Sequence, residues 1–81
     1  MSKFRATQNE LNNGFHITFE NGYTVSVQFG KVNYSDQGET TAEVAVWGPD
    51  GEWVRLSEHD TIKGWCAPNE VLEIMNQIAN K

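Results

Sequence analysis

From residue 14 onward the chain alternates apolar and polar residues with a period of two. Phe15, Ile17 and Phe19 are interleaved with His16, Thr18 and Glu20, and Tyr23, Val25, Val27 and Phe29 with Thr24, Ser26 and Gln28. Such alternation sends successive side chains to opposite faces of a sheet and predicts two half-buried strands joined at Asn21-Gly22. A two-residue Asn-Gly loop would set Phe19 against Thr24 and Ile17 against Ser26, mixing apolar and polar residues on both faces. A three-residue loop, Glu20-Asn21-Gly22 with Gly22 left-handed, instead sets Phe19 against Tyr23, Ile17 against Val25 and Phe15 against Val27. The second register restores a single apolar face and is the one expected.

The same turn device recurs at residues 48–51. Pro49-Asp50 suits the central positions of a type I turn, and Gly51 supplies the left-handed residue that follows. Gly48 then opposes Glu52, Trp47 opposes Trp53, Val46 opposes Val54 and Val44 opposes Leu56, with the aliphatic pairs on one face and the tryptophans on the other. Between the two hairpins, residues 30–40 form a turn-rich connector, long enough to carry function. Val32 and Tyr34 either belong to it or extend the second strand past a bulge at Gly30. Residues 57–64 are polar apart from Ile62, and Gly64-Trp65 marks a change of direction, with Trp65 expected as a core anchor.

The chain finishes with a helical pattern. Val71, Met75 and Ile78, with Leu72, Ile74 and Ala79 beside them, make one apolar stripe, and Ala67-Pro68-Asn69-Glu70 outlines a capping box that lacks its hydroxyl. The aliphatic face of the sheet is the surface that stripe needs. The expected architecture is α+β: a four-stranded antiparallel sheet of two hairpins with one C-terminal helix packed on one face. It forms a single ββββα domain over residues 14–81, preceded by a polar segment, residues 1–13, that is either a frayed leader or an added edge segment.

Size and charge narrow the function. Eighty-one residues support one modest core, so help from an oligomer or a ligand is plausible. The formal charge is −5, and the six basic residues are scattered at Lys3, Arg5, Lys31, Arg55, Lys63 and Lys81. A surface that tracks phosphates needs clustered positive charge, which argues against direct nucleic-acid binding. Eleven acids without long runs make nucleic-acid mimicry a weak alternative. The single cysteine, Cys66, excludes an internal disulfide and fits a reducing compartment, and no apolar run approaches membrane-spanning length.

Catalytic chemistry is thinly represented. Glu58-His59-Asp60 is the one local cluster of titratable groups, and sequence neighbours of this kind usually make a solvated loop. His16, His59, Asp60 and Cys66 lack the spacings of zinc motifs, so no metal or cofactor is expected. Cys66 either feels the helix dipole or packs against Val71 as a hydrophobic staple.

The outer sheet face is the better candidate. It collects His16, Thr18, Thr24, Ser26 and Gln28 from the first hairpin and Glu43, Ala45, Trp47, Trp53 and Arg55 from the second. Flat rings offer stacking area at small entropic cost, and Gln28, Arg55 and the hydroxyls can orient a partner. Two readings stand: a ligand or partner surface, or a structural face that is covered by the N-terminal residues or buried in a homo-oligomer. The candidate binding residues are Trp47, Trp53, Arg55, Tyr34, Gln28 and His16. Tyr34 is either a contact tip of the connector or folded over the core edge.

The run from Phe19 through Glu20, Asn21, Gly22, Tyr23, Thr24, Val25, Ser26, Val27, Gln28 and Phe29 to Gly30 is distinctive as a string. Together with Asn33-Tyr34, Ala42-Glu43-Val44-Ala45-Val46-Trp47, Gly64-Trp65 and Pro68-x-Glu70-Val71, it resembles short uncharacterised proteins of tailed bacteriophages. Ala67 departs from that pattern, in which a Ser or Thr cap would be usual. The resemblance carries no active site. It implies a small non-enzymatic phage accessory protein in the host bacterial cytoplasm that binds and inhibits a host or defence protein. The alternatives are an oligomer that sequesters a nucleotide-type defence signal and a structural or self-associating phage protein.

Overall fold

The computed structural model describes residues 2–31, 33, 35–37, 39–57 and 60–81. Five antiparallel strands follow one another in a meander: β1 (Lys3–Gln8), β2 (Asn13–Thr18), β3 (Thr24–Gln28), β4 (Ala42–Trp47) and β5 (Ile62–Cys66), after which comes the helix α1 (Pro68–Ala79). The α+β class and the C-terminal helix are as expected, but the sheet has five strands and not four.

The first hairpin register is the one chosen on apolar pairing. Ile17 lies opposite Val25 and Phe15 opposite Val27. The Phe19 amide donates to the Tyr23 carbonyl and the Gly22 amide to the Phe19 carbonyl, both at 2.9 Å, closing a three-residue loop with Gly22 at φ 87°. The second turn repeats it: the Gly48 amide donates to Glu52 O at 2.8 Å, Gly51 N to Gly48 O at 2.9 Å, and Gly51 has φ 84°.

Beyond that turn the expected strand does not continue. The Val54 amide still donates to Val46 O at 2.8 Å, and Trp47 and Trp53 form an isolated bridge. The backbone then folds over itself, with the amides of Leu56 and Ser57 both donating to Asp60 O. The free edge of β4 is taken by β5, so that Ala45 faces Ile62 and Val44 faces Lys63 where Leu56 was expected. Val54 and Leu56 still pack against the core, so their assignment to the apolar side holds. Pairing with β5 brings Cys66 opposite Ala42, where it is buried, and starts the helix beside the sheet.

The N-terminal segment is the added edge and not a frayed leader. Asn9 Oδ1 accepts the amides of Leu11 and Asn12 at 2.9 and 2.8 Å, an Asx turn that folds residues 3–8 back along β2. Phe4 and Ala6 then face Ile17 and Phe15. The segment is therefore in no position to cover the tryptophans.

The core comprises Val25, Val27, Ala42, Val44, Val46, Cys66 and Ile78. On α1, Val71, Ile74, Met75 and Ile78 form the packed stripe at i, i+3, i+4, i+7, whereas Leu72 and Ala79, expected beside them, lie exposed. The helix packs on β3, β4 and β5. Its start is held by Glu70, whose carboxylate accepts the Ala67 amide at 3.2 Å and pairs with Lys63 Nζ at 2.9 Å. Its end is tied to the first hairpin, where Asn21 Nδ2 donates to Ile78 O at 2.8 Å.

Trp65 is not the core anchor it was expected to be: it is 60% exposed. The β4–β5 register shifts between Ala42 and Val44, and Trp65 has φ 55°, the left-handed conformation of a bulge. An L-residue there pays about 1–2 kcal/mol of strain.

Two stability predictions follow from these backbone positions. Gly22→Ala should cost more than Gly51→Ala. Each forces a Cβ into a left-handed position worth about 1–2 kcal/mol, but at Gly22 the new atom would also lie 2.9 Å from Pro49 Cγ, whereas at Gly51 nothing lies within 4 Å. Trp65→Gly should change stability by less than about 1 kcal/mol, against about 3–5 for truncating a buried tryptophan. Urea denaturation midpoints check both.

Candidate functional site

The outer face is built by the registers just described. Thr24 lies opposite Trp47, Ser26 opposite Ala45 and Gln28 opposite Glu43, while His16 lies opposite Ser26 on the other side of β3. Hydrogen bonds on either side of the Trp47–Trp53 bridge, at Gly48–Glu52 and Val46–Val54, make it a non-hydrogen-bonded pair, the kind in which side chains approach most closely. The two ring centroids are 5.4 Å apart. The His16 ring meets Trp47 edge-on, 5.1 Å away at 87°.

These rings border an open concavity of about 480 Å³, lined by His16, Ser26, Glu43, Ala45, Trp47, Gly51, Trp53 and Ile62. Trp53 is 54% exposed and Ile62 is also exposed. The floor is Ala45 and Ser26, both buried. Glu43 provides a carboxylate at the rim and accepts a hydrogen bond from Asn33 Nδ2 at 3.1 Å. No lysine or arginine is among the described residues that line it. Ile62 is the wall residue that the sequence reading missed, because it stood alone in a polar stretch and its pairing with Ala45 is long-range.

His16, Trp47 and Trp53 therefore come together as expected. Gln28 does not join them: it is buried, accepts a hydrogen bond from Thr7 Oγ1 at 2.9 Å and donates to Ser26 Oγ at 3.3 Å, so its amide is engaged inside the sheet. Gly14 lies between Thr7 and Gln28 in that row, and a Cβ on it would come within 2.0 Å of Val27 O. The hydroxyls of Thr18 and Thr24 share a hydrogen bond at 2.9 Å, which likewise engages them with each other. Arg55 is exposed but does not line the concavity. Tyr34, and with it the suggestion of a contact tip, lies outside the described residues, as do Glu58 and His59.

The connector beside the site is organised by Asp36. Its carboxylate accepts both the amides and the hydroxyls of Thr40 and Thr41, which holds its pKa far below the ordinary carboxylate range. Asn33 Oδ1 accepts the Gly30 amide at 2.9 Å and so fixes the side chain that reaches Glu43. Cys66 is buried beside the helix start, in the same cluster that Val71 packs against. Burial first, then Glu70, pushes its thiol pKa up, and its place in that cluster is the geometry of a hydrophobic staple. Among the described residues no group of three His, Cys, Asp or Glu could hold a metal, and no helix is long and apolar enough to cross a membrane.

Burial, and secondarily the charge of Arg5, lowers the His16 pKa, so the imidazole is neutral at neutral pH. Chemically the site offers stacking area, an apolar wall, a neutral imidazole and one carboxylate. Comparison with models of protein families, with curated protein sequences and with solved structures returns no significant match.

Because its folded pKa is depressed, neutral His16 contributes stability that is complete above the unfolded value of about 6.5 and declines as pH falls from there through the folded pKa. An imidazolium against Trp47 also quenches indole emission. Fluorescence titration should therefore give a midpoint below that of free imidazole, absent in His16→Gln. Arg5→Gln should move it only part of the way back, since burial is the larger cause.

Proposed function

We propose that this is a non-enzymatic binding protein that docks on a partner protein through the concavity between His16, Trp47, Trp53 and Ile62. The observation that carries the reading is the composition of that concavity. Paired indoles and an exposed isoleucine surround a floor of the small residues Ala45 and Ser26, with Glu43 at the rim and no cation among the described lining residues. A protein side chain, aromatic or aliphatic, fills such a space and buries Trp53, while a lysine, arginine or backbone amide beside it meets Glu43. A nucleotide-type signal would stack equally well on the rings. Its phosphates, however, would find a carboxylate at the rim, and Gln28, Thr18 and Thr24 are already hydrogen-bonded within the sheet.

The resemblance to tailed-phage proteins supplies the setting. The partner is then a host or defence protein met in the bacterial cytoplasm, and binding inhibits it. The binding set is His16, Trp47, Trp53 and Ile62 with Glu43, and Arg55 belongs to the surrounding rim.

A photo-crosslinking residue placed at exposed Thr61, beside the wall residue Ile62, should capture one host protein in infected cells. The same residue at exposed Leu72 on the helix should not. Trp53→Ala should reduce that capture at least about tenfold, the usual size of an aromatic anchor's contribution, with thermal stability nearly unchanged. Release of a nucleotide on denaturation, with no crosslink, would favour the sequestering reading. A homodimer crosslink would favour self-association.

A further inference from the structure

The sheet has two edges, and they differ. On β5 the register shifts, Trp65 is left-handed and Lys63 is drawn into an ion pair with Glu70. Irregularities of this kind spoil an edge as a template for further pairing. On β1 all six residues pair with β2 in an unbroken register, without proline or bulge.

The direction of the free groups on β1 follows from the turn that ends it. The Asn9 amide donates to Asn12 O at 2.9 Å, so Asn9 points its backbone toward the β2 side. Backbone direction alternates along a strand, so Thr7, Arg5 and Lys3 also point to β2, and Phe4, Ala6 and Gln8 present their N–H and C=O groups outward. The side chains add to this. Phe4 is 75% exposed and borders a groove of about 240 Å³ whose other lining includes Ile17 and Phe19. The helix packs on β3, β4 and β5, so it leaves this part of the apolar face without a cover. On the opposite face Lys3 and Arg5 lie side by side with no acid in the strand, in a chain of net charge −5, and among the described residues neither forms an ion pair.

We infer that the β1 edge receives an extended acidic strand of a partner protein, added antiparallel to the sheet. Carboxylates at alternate positions of that strand meet Lys3 and Arg5, and the apolar residues between them cover Phe4 and the groove. This surface meets the tryptophan concavity only where Arg5 lies opposite His16, and it does not rest on the function proposed for the concavity. A second copy of the chain is the poorer occupant. A symmetric antiparallel pairing centred on Phe4 sets each copy's Lys3 against the other's Arg5, and one centred on Arg5 sets Arg5 against itself. One centred on Ala6 separates the charges but sets Phe4 against Gln8. Like charges directly opposite destabilise a pair of strands, and opposite charges add to it.

The test uses the whole protein and two end-blocked peptides, one of alternating glutamate and valine and one of alternating lysine and valine. Amide hydrogen exchange is followed by NMR. With millimolar acidic peptide the amides of Phe4, Ala6 and Gln8 should exchange at least about tenfold more slowly, and with the basic peptide they should not. Ala6→Pro removes an outward N–H, which an edge strand tolerates, and should abolish the protection while leaving the rest of the amide pattern intact. The double variant Lys3→Glu, Arg5→Glu should reverse the preference between peptides, which keeps the test decisive if Ala6→Pro fails to fold. Equal protection by both peptides, protection by neither, or protection of these amides in a dimer without peptide would each overturn the proposal.

Discussion

The left-handed glycine that closes each three-residue loop is the constraint on which the rest of this fold depends. Gly22 and Gly51 both have positive φ, and each allows its loop to end so that the strands meet with apolar side chains on one face. Side chains in a strand alternate with a period of two, so a slip of one residue at either loop would carry a whole strand's apolar set to the wrong face. Val25 and Val27 meet Val46 and Val44 across the β3–β4 pairing, and the core closes around them. By the same parity His16, Ser26, Ala45 and Trp47 share the opposite face. The buried side and the candidate binding side are thus two consequences of one strand parity.

A single short helix then decides how the two faces are used. It covers three of the five strands, pinned at its start by Lys63–Glu70 and at its end by Asn21. Phe4 and the β1 edge lie beyond its reach. Among the described residues no helix packs on the outer face, and burial there comes from neighbouring side chains: the polar atoms of Ser26, Gln28, Thr18 and Thr24 bond to one another or to Thr7. A buried polar group without a partner is costly, which is why these residues are engaged within the sheet. The aromatic corner around Trp47 and Trp53 stays open on this face.

The legible and illegible parts of the molecule divide by the range of the interactions behind them. The first hairpin and the second turn could be read because turn chemistry and alternation are local, whereas the strand expected after that turn stops at the Trp47–Trp53 bridge. The helix stripe could be read for the same reason, although Leu72 and Ala79 lay just outside the arc that touches the sheet. Strand β1 was ambiguous because its alternation is carried by only Phe4 and Ala6 among charged and polar neighbours, and its partner lies across an Asx turn. Strand β5 was missed: Ile62 was a lone apolar residue, and nothing near it indicated that β4 would pair with it instead of with Leu56. Trp65 was assigned to the core on residue type, whereas the bulge that accommodates the register shift leaves it in solvent. Of the six candidate binding residues, His16, Trp47 and Trp53 converge, Gln28 is turned to internal bonding, Arg55 lies outside the concavity and Tyr34 is outside the described residues.

The sequence by itself determined which residues share a face, since that depends on strand parity, on the glycines that permit the turns and on helical spacing. Tertiary structure alone decided which strand completes the sheet beside β4, where the helix stops covering it and which polar side chains are left free. Those outcomes rest on competition between distant segments for one edge and one apolar surface. The winner is set by total burial and hydrogen-bond satisfaction, which no local stretch of the chain contains.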